Sequence, residues 1–222
     1  MNAFVLKLIA ITAMTIDHIG YVFFPYSTWM RVAGRLTMPI FAFLISEGFR
    51  HTKNIDKYIK RMFVFALISA VPFFLLFKTP SDVLFAYLFA LLGLKGAQHE
   101  ADKRKKVLKL LGFAVLSLVF VTDWPLVAPL MVYVFYYANY DKRKIFLGFT
   151  SVFFICYGIF YLVCVAINDM GLFLANNIQF GLFLALPIIF LYNGTQGPKA
   201  KYLFYWYYPL HLFAIWIIDI LL

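Results

Sequence analysis

Six side chains in this apolar sequence have types suited to chemistry: Asp17, His18, Arg31, Arg35, Asp123 and His211. Asp17 and His18 lie in Thr15-Ile16-Asp17-His18-Ile19-Gly20, inside an apolar run from Ala3 to Phe24. That run is long enough to cross a bilayer at about 1.5 Å per helical residue. An ionisable group near the centre of a membrane helix costs roughly 2.5–3.5 kcal/mol on insertion scales. Two adjacent ones must therefore face protein or water. The next run, Arg31 to Phe49, carries Arg31, Arg35 and Glu47. A neutral imidazole can take a proton near neutral pH, and a guanidinium can stabilise an oxyanion or bind an acidic group.

The helical rise places these groups at related depths. His18 should sit about 9 Å below the outer boundary, with Arg35 at the same depth on the returning helix. Arg31 and Arg35 are four apart and share a face, and Ser46 continues their stripe. Asp123 opens an outer turn, and His211 falls nearer mid-membrane. Each residue has a structural alternative. His18 can be a packing residue bonded to a carbonyl, and Asp17 can form a plain ion pair with Arg31 or Arg35. Asp17 and His18 point about 100° apart, which argues against a direct relay between them. Asp123 can cap the following helix, and His211 can bond a carbonyl freed by Pro209. His51 and His99 are expected in solvated loops, and Glu47 beside the basic loop.

The elements that must position these residues are membrane helices. The chain has 222 residues, of which 64% are hydrophobic and 14% charged, with mean hydropathy +0.85. This composition excludes a soluble domain and predicts an all-α, polytopic transmembrane bundle over residues 1–222, treated as one domain. The N-terminus lacks a clean cleavage site and is not read as a signal peptide. Cys156 and Cys164 would lie about 12 Å apart along one helix, too far for a disulfide. The net charge of +10 sits in alternate short loops, a topology pattern that speaks against nucleic acid.

Nine spans are expected: Ala3–Phe24, Trp29–Phe49 with a kink at Pro39, Ile55–Phe77, Val83–Lys95, a fifth ending near Val121, Leu126–Tyr140, a seventh ending near Ile167, Leu172–Tyr192 and Lys201–Leu222. The fourth and sixth are short. Basic loops follow spans two, four, six and eight, which puts the N-terminus in the cytoplasm and the C-terminus outside. No zinc motif, Cys-x-x-Cys pair, phosphate loop or nucleophile elbow is present, so no metal site is expected.

Several strings resemble the TraX family: "MTIDHIGYVFFP", "RVAGRLTMPIFAFLISEGFRHTKN" and "KYIKRMFVFALISAVPF", then "TDWPLVAPLMVYVFYY", "FGLFLALPIIFLYNG" and "KYLFYWYYPLHL". The resemblance covers essentially the whole chain. It departs after Asp123, where Trp124-Pro125 replaces a Gly-rich continuation. The resemblance implies a membrane acetyltransferase, associated in that family with N-terminal acetylation of conjugative pilin and similar to acyl-CoA-dependent membrane acyltransferases. It leaves the acceptor open.

Chemistry and resemblance together give an expected mechanism in a bacterial plasma membrane. Acetyl-CoA is the donor, its nucleotide held at the cytoplasmic face by Lys57, Lys60 and Arg61, in a pocket lined from the Arg50–Arg61 and Lys103–Lys109 segments. His18 is the expected general base for an amine or hydroxyl acceptor. Arg31 and Arg35 stabilise the oxyanion or bind donor or acceptor, and His211 is a second base or an acyl carrier. Asp17 anchors an arginine. The alternatives are a proton-coupled transporter of a small solute or lipid, and a structural subunit of an envelope assembly.

Overall fold

Six helices begin under an Asn or Asp side chain that accepts from a backbone N–H of the first turn. Asn2 takes Val5 at 2.9 Å, Asn54 takes Lys57 at 2.9 Å, and Asp82, Asp102, Asp141 and Asp169 act alike. The computed structural model describes residues 1–222, the side chain of Lys201 excepted. Its elements are α1 (Ala3–Phe23), α2 (Thr28–Gly34), α3 (Thr37–His51), α4 (Ile55–Phe77), α5 (Val83–Ala97), α6 (Lys103–Val119), α7 (Val127–Ala138), α8 (Lys142–Ala166), α9 (Met170–Ala175), a 3-10 stretch (Asn176–Leu184), α10 (Ala185–Phe190) and α11 (Lys201–Leu221). Grouped as α1, α2–α3, α4, α5, α6, α7, α8, α9–α10 and α11, they make nine antiparallel traverses. The basic loops gather at the end that holds the N-terminus. The chain is an all-α membrane protein, and six traverses are long and apolar enough to cross a bilayer.

The centre of the bundle is α3, α5 and α7, while α8 turns most of its surface outward. α5 is apolar all round except in its last turn, where Lys95 is exposed and pairs with Asp56, as suits a helix enclosed over most of its length. With 15 residues it spans about 22 Å, short of a hydrocarbon core of about 30 Å. The turn before it and the turn before α7 are therefore recessed, and each satisfies the other's backbone. Asp123 N–H donates to the Ser81 carbonyl at 3.0 Å, and Ser117 Oγ accepts from Leu126 N–H at 3.0 Å. Non-helical backbone at this depth is tolerable because protein encloses it.

Two expected helices are interrupted. The second traverse was expected to kink at Pro39, but the irregularity lies at Arg35-Leu36. Pro39 has no N–H, and its ring crowds the carbonyl four residues earlier, that of Arg35. The chain tightens there with i→i+3 bonds from Arg35 to Val32 at 3.1 Å and from Leu36 to Ala33 at 3.2 Å. The eighth traverse is not one α-helix, since nine residues at its centre are 3-10. This stretch packs on α2, and a Cβ on Gly181 would come within 2.9 Å of the Val32 carbonyl oxygen.

Candidate active site

One stripe of α1, formed by Ala3, Lys7, Met14, Asp17 and His18, faces a cavity of about 510 Å³. The spacing of three and four residues keeps these side chains on one side of the helix. The opposite wall is α3, from Thr37 to His51, about 21 Å at the helical rise. α4, α5 and α11 close the sides. The ends are polar and the middle is not. Lys7, Arg61, His51 and Gln196 line the end nearer the N-terminus, which the charge pattern predicts to be cytoplasmic, and Asp17, His18, Arg35 and Asp123 line the opposite, outer end. Between them lie Met38, Phe41, Leu44, Ile45 and Met62. His51 and Asp123 are both accessible to solvent, one at each end.

At the outer end, Nδ1 of His18 lies 2.9 Å from Nε2 of His211. Nδ1 of His211 lies 2.8 Å from the Tyr207 carbonyl oxygen. A carbonyl only accepts, so Nδ1 of His211 carries the hydrogen. With both rings neutral, Nε2 of His211 must accept and Nδ1 of His18 must donate. That assignment, inferred from the partners, leaves the lone pair on Nε2 of His18 free. The two rings stack with centroids 5.1 Å apart and planes 6° apart. Tyr207 stacks on the far face of His211 at 5.1 Å, and its hydroxyl lies 2.6 Å from Oγ1 of Thr15. Thr15 spends its own hydrogen on the Ile11 carbonyl, so Tyr207 donates.

Asp17 turns away from His18 toward the arginines. Its Oδ1 is 2.8 Å from Arg31 Nη1 and 3.7 Å from Arg35 Nη2, close for ion pairs but not aligned as hydrogen bonds. The approach of α1 to α2 requires glycine at position 34, where a Cβ would overlap the Asp17 carboxyl. Arg35 is 6% exposed, lies over the Trp124 ring at 5.4 Å, and its Nε has no hydrogen-bond partner. Arg31 is more open and lies over Tyr21 at 4.9 Å. Asp123 does not cap α7, whose N-cap residue is Leu126, and it faces the cavity instead.

The family model described as "TraX protein" matches residues 3–219. The chain belongs to the TraX family. It is similar to the "Probable fimbrial assembly protein FimC, serogroup H1" of Dichelobacter nodosus, at 29% identity over 248 aligned positions, 95% of this chain and 93% of the relative. An uncharacterized protein of Rickettsia prowazekii (strain Madrid E) is 40% identical over 73 residues, 33% of this chain and 27% of the relative. No solved structure matches.

In this TraX-family chain the first and last of the quoted strings meet, because the pair His18–His211 joins residues 193 apart. Other expectations are corrected. Lys57 and Lys60 are exposed and lie outside the cavity lining, whereas Tyr58, Arg61 and Met62 face inward. Successive residues of α4 turn by about 100°, so a basic run cannot act as one patch. The Lys103–Lys109 segment is also outside the lining, since α6 packs against α5. Ser46 is buried, lies outside the cavity lining and donates to the Phe43 carbonyl at 2.7 Å. Glu47 does lie beside the basic loop as expected, with Arg50 at 3.3 Å and His51 at 3.5 Å, and it also accepts from Tyr140 at 2.8 Å. Lys7 and Tyr207 were missed. The i, i+3, i+4 stripe of α1 would have found Lys7, whereas nothing in the sequence marks Tyr207 among its aromatic neighbours.

Proposed function

We propose that this TraX-family protein moves an acetyl group from acetyl-CoA to an amine or hydroxyl acceptor at the cell membrane. The fimbrial assembly name of the Dichelobacter relative favours a pilin-like amino terminus as acceptor. The observation that carries the reading is a single cavity with cations at its cytoplasmic end and a free imidazole lone pair at its outer end. A thin pantetheine arm suits the apolar middle, which offers few polar groups to satisfy.

His18 is the general base. As the acceptor nitrogen attacks the thioester carbonyl carbon, Nε2 of His18 takes the proton. The resulting imidazolium keeps its Nδ1–H bond to His211, whose tautomer the Tyr207 carbonyl fixes. The Arg35 guanidinium, on the cavity wall, stabilises the oxygen that gains charge, with Arg31 adding positive potential. When the C–S bond breaks, the leaving sulfur takes the proton back from His18. Asp17 holds the arginines and takes no proton.

The test is release of free thiol from acetyl-CoA by purified protein with an amine acceptor peptide. Acceptor-dependent release that His18→Ala abolishes supports the reading. Wild-type protein that binds acetyl-CoA but never releases thiol with any amine or hydroxyl acceptor would refute it.

The interrupted traverses favour one second reading. Discontinuous helices packed against each other at a buried polar site occur in transporters, and α2–α3 against the 3-10 stretch is such a pair. Proton-coupled solute flux in liposomes without thiol release would select it.

A further inference from the structure

The cytoplasmic half of the cavity has a charge imbalance that the chemistry at the outer end does not use. Lys7 and Arg61 both line it, each half-buried, and neither has a carboxylate within ion-pair distance among the described residues. Glu47, the carboxylate lining that half, is engaged by Arg50, His51 and Tyr140. Aromatic rings carry the two cations instead: Lys7 Nζ lies 5.3 Å from the centroid of Phe204, and the Arg61 guanidinium 5.7 Å from that of Tyr58. Arg61 also reaches the Tyr205 hydroxyl, yet its Nε is buried without a hydrogen-bond partner. Phe204 and Tyr205 are adjacent on α11, so one helix supports both cations.

Both cations are recessed. Lys7 lies about 6 Å past the start of α1 and Arg61 about 9 Å past the start of α4. Topology alone asks only for cations near this end, and exposed ones such as Lys57 and Lys60 on the outer face of α4 meet that need. Two uncompensated charges drawn inward along aromatic walls are costly unless an anion joins them. We infer that Lys7 and Arg61 form a binding recess for a phosphate-bearing ligand whose remaining part extends into the apolar middle. Two ligands have that chemistry, the diphosphate of a nucleotide thioester and the headgroup of a phospholipid. The first deepens the acetyl-transfer reading and rests on it.

The experiment uses full-length protein in phosphatidylcholine nanodiscs, titrated with CoA and with pantetheine, which has no phosphate. The variants are Lys7→Met, Arg61→Gln and the double. Loss of one charge-assisted contact should weaken CoA by about tenfold or more, with pantetheine unchanged. Lys7→Met keeps an apolar stem on Phe204 and removes an uncompensated charge. Its melting temperature without ligand should not fall, while the rise that CoA produces should shrink. A parallel arm adds phosphatidylglycerol and weighs the lipid retained through purification. Lysine-dependent CoA binding assigns the recess to the nucleotide, and lysine-dependent lipid retention assigns it to a headgroup. If the double variant loses neither, or loses pantetheine as much as CoA, the recess is overturned. Thiol release measured on the same samples keeps the two readings apart. CoA binding that depends on Lys7 without any acetyl transfer supports the recess and counts against the transfer reading.

Discussion

His18 and His211 are not equivalent, and the difference is in their hydrogens. His211 gives its Nδ1 hydrogen to a backbone carbonyl and its Nε2 lone pair to His18, so it has nothing free for a substrate. His18 alone has a free lone pair, on Nε2. His18→Ala should therefore lower acetyl transfer by about 10²–10⁴-fold while leaving CoA binding intact. His211→Ala should cost less, and the double variant no more than His18→Ala, because the two act as a unit. Turnover that survives in His18→Ala but not in His211→Ala would reverse these roles. Activity should fall on acidification, since a protonated imidazole has no lone pair to offer. An initial-rate profile against pH, with acetyl-CoA saturating, checks the direction. The residue types were legible in the sequence, and so was the divergence of Asp17 from His18. The partnership across 193 residues was not, because nothing local in either helix encodes it.

The termini of α1, α4 and α11 fall within a residue or so of where composition places them. Irregularities inside the traverses were harder. Pro39 marks a distortion, but its position depends on which carbonyl the ring displaces, and the 3-10 stretch has only Gly181 and a few amides to announce it. Pro39→Ala should relax the tight turn, rotate Arg35 away from Trp124 and reduce transfer without lowering the melting temperature. A variant with full activity would show that the turn does not position Arg35. The start of α8 makes a separate prediction. Backbone N–H groups of Lys144 and Arg143 bond the Asp141 carboxylate and hold its pKa below the usual aspartate range. A depressed pKa contributes stability above the unfolded value that is lost as pH falls through the folded one. Asp141→Asn keeps a capping oxygen without a titration, so its melting temperature should fall less steeply below about pH 4. Equal acid slopes would remove the cap from the account.

At the scale of the whole molecule, α1 and α11 run parallel and leave the chain termini at opposite ends of the bundle, and the basic loops predict a cytoplasmic N-terminus. A reporter that is active only outside the cytoplasm should work when fused after Leu222 and fail when inserted at Thr52-Lys53. The reverse pattern would invert the molecule. The place of Lys7 on the cavity wall was hidden because the basic run Lys57, Lys60 and Arg61 drew attention to the start of α4. The apolar middle of the cavity has a consequence for the cell. A passage wet at both ends would short-circuit the proton gradient if water ran through it. Met38, Phe41, Leu44, Ile45 and Met62 give the middle of the lining little that could replace the shell of a hydrated ion. An apolar chain needs no such groups, whereas a hydronium ion does. Phe41→Asn should let protons leak through sealed liposomes under an imposed gradient, and a tight Phe41→Asn vesicle would show that the insulation lies elsewhere.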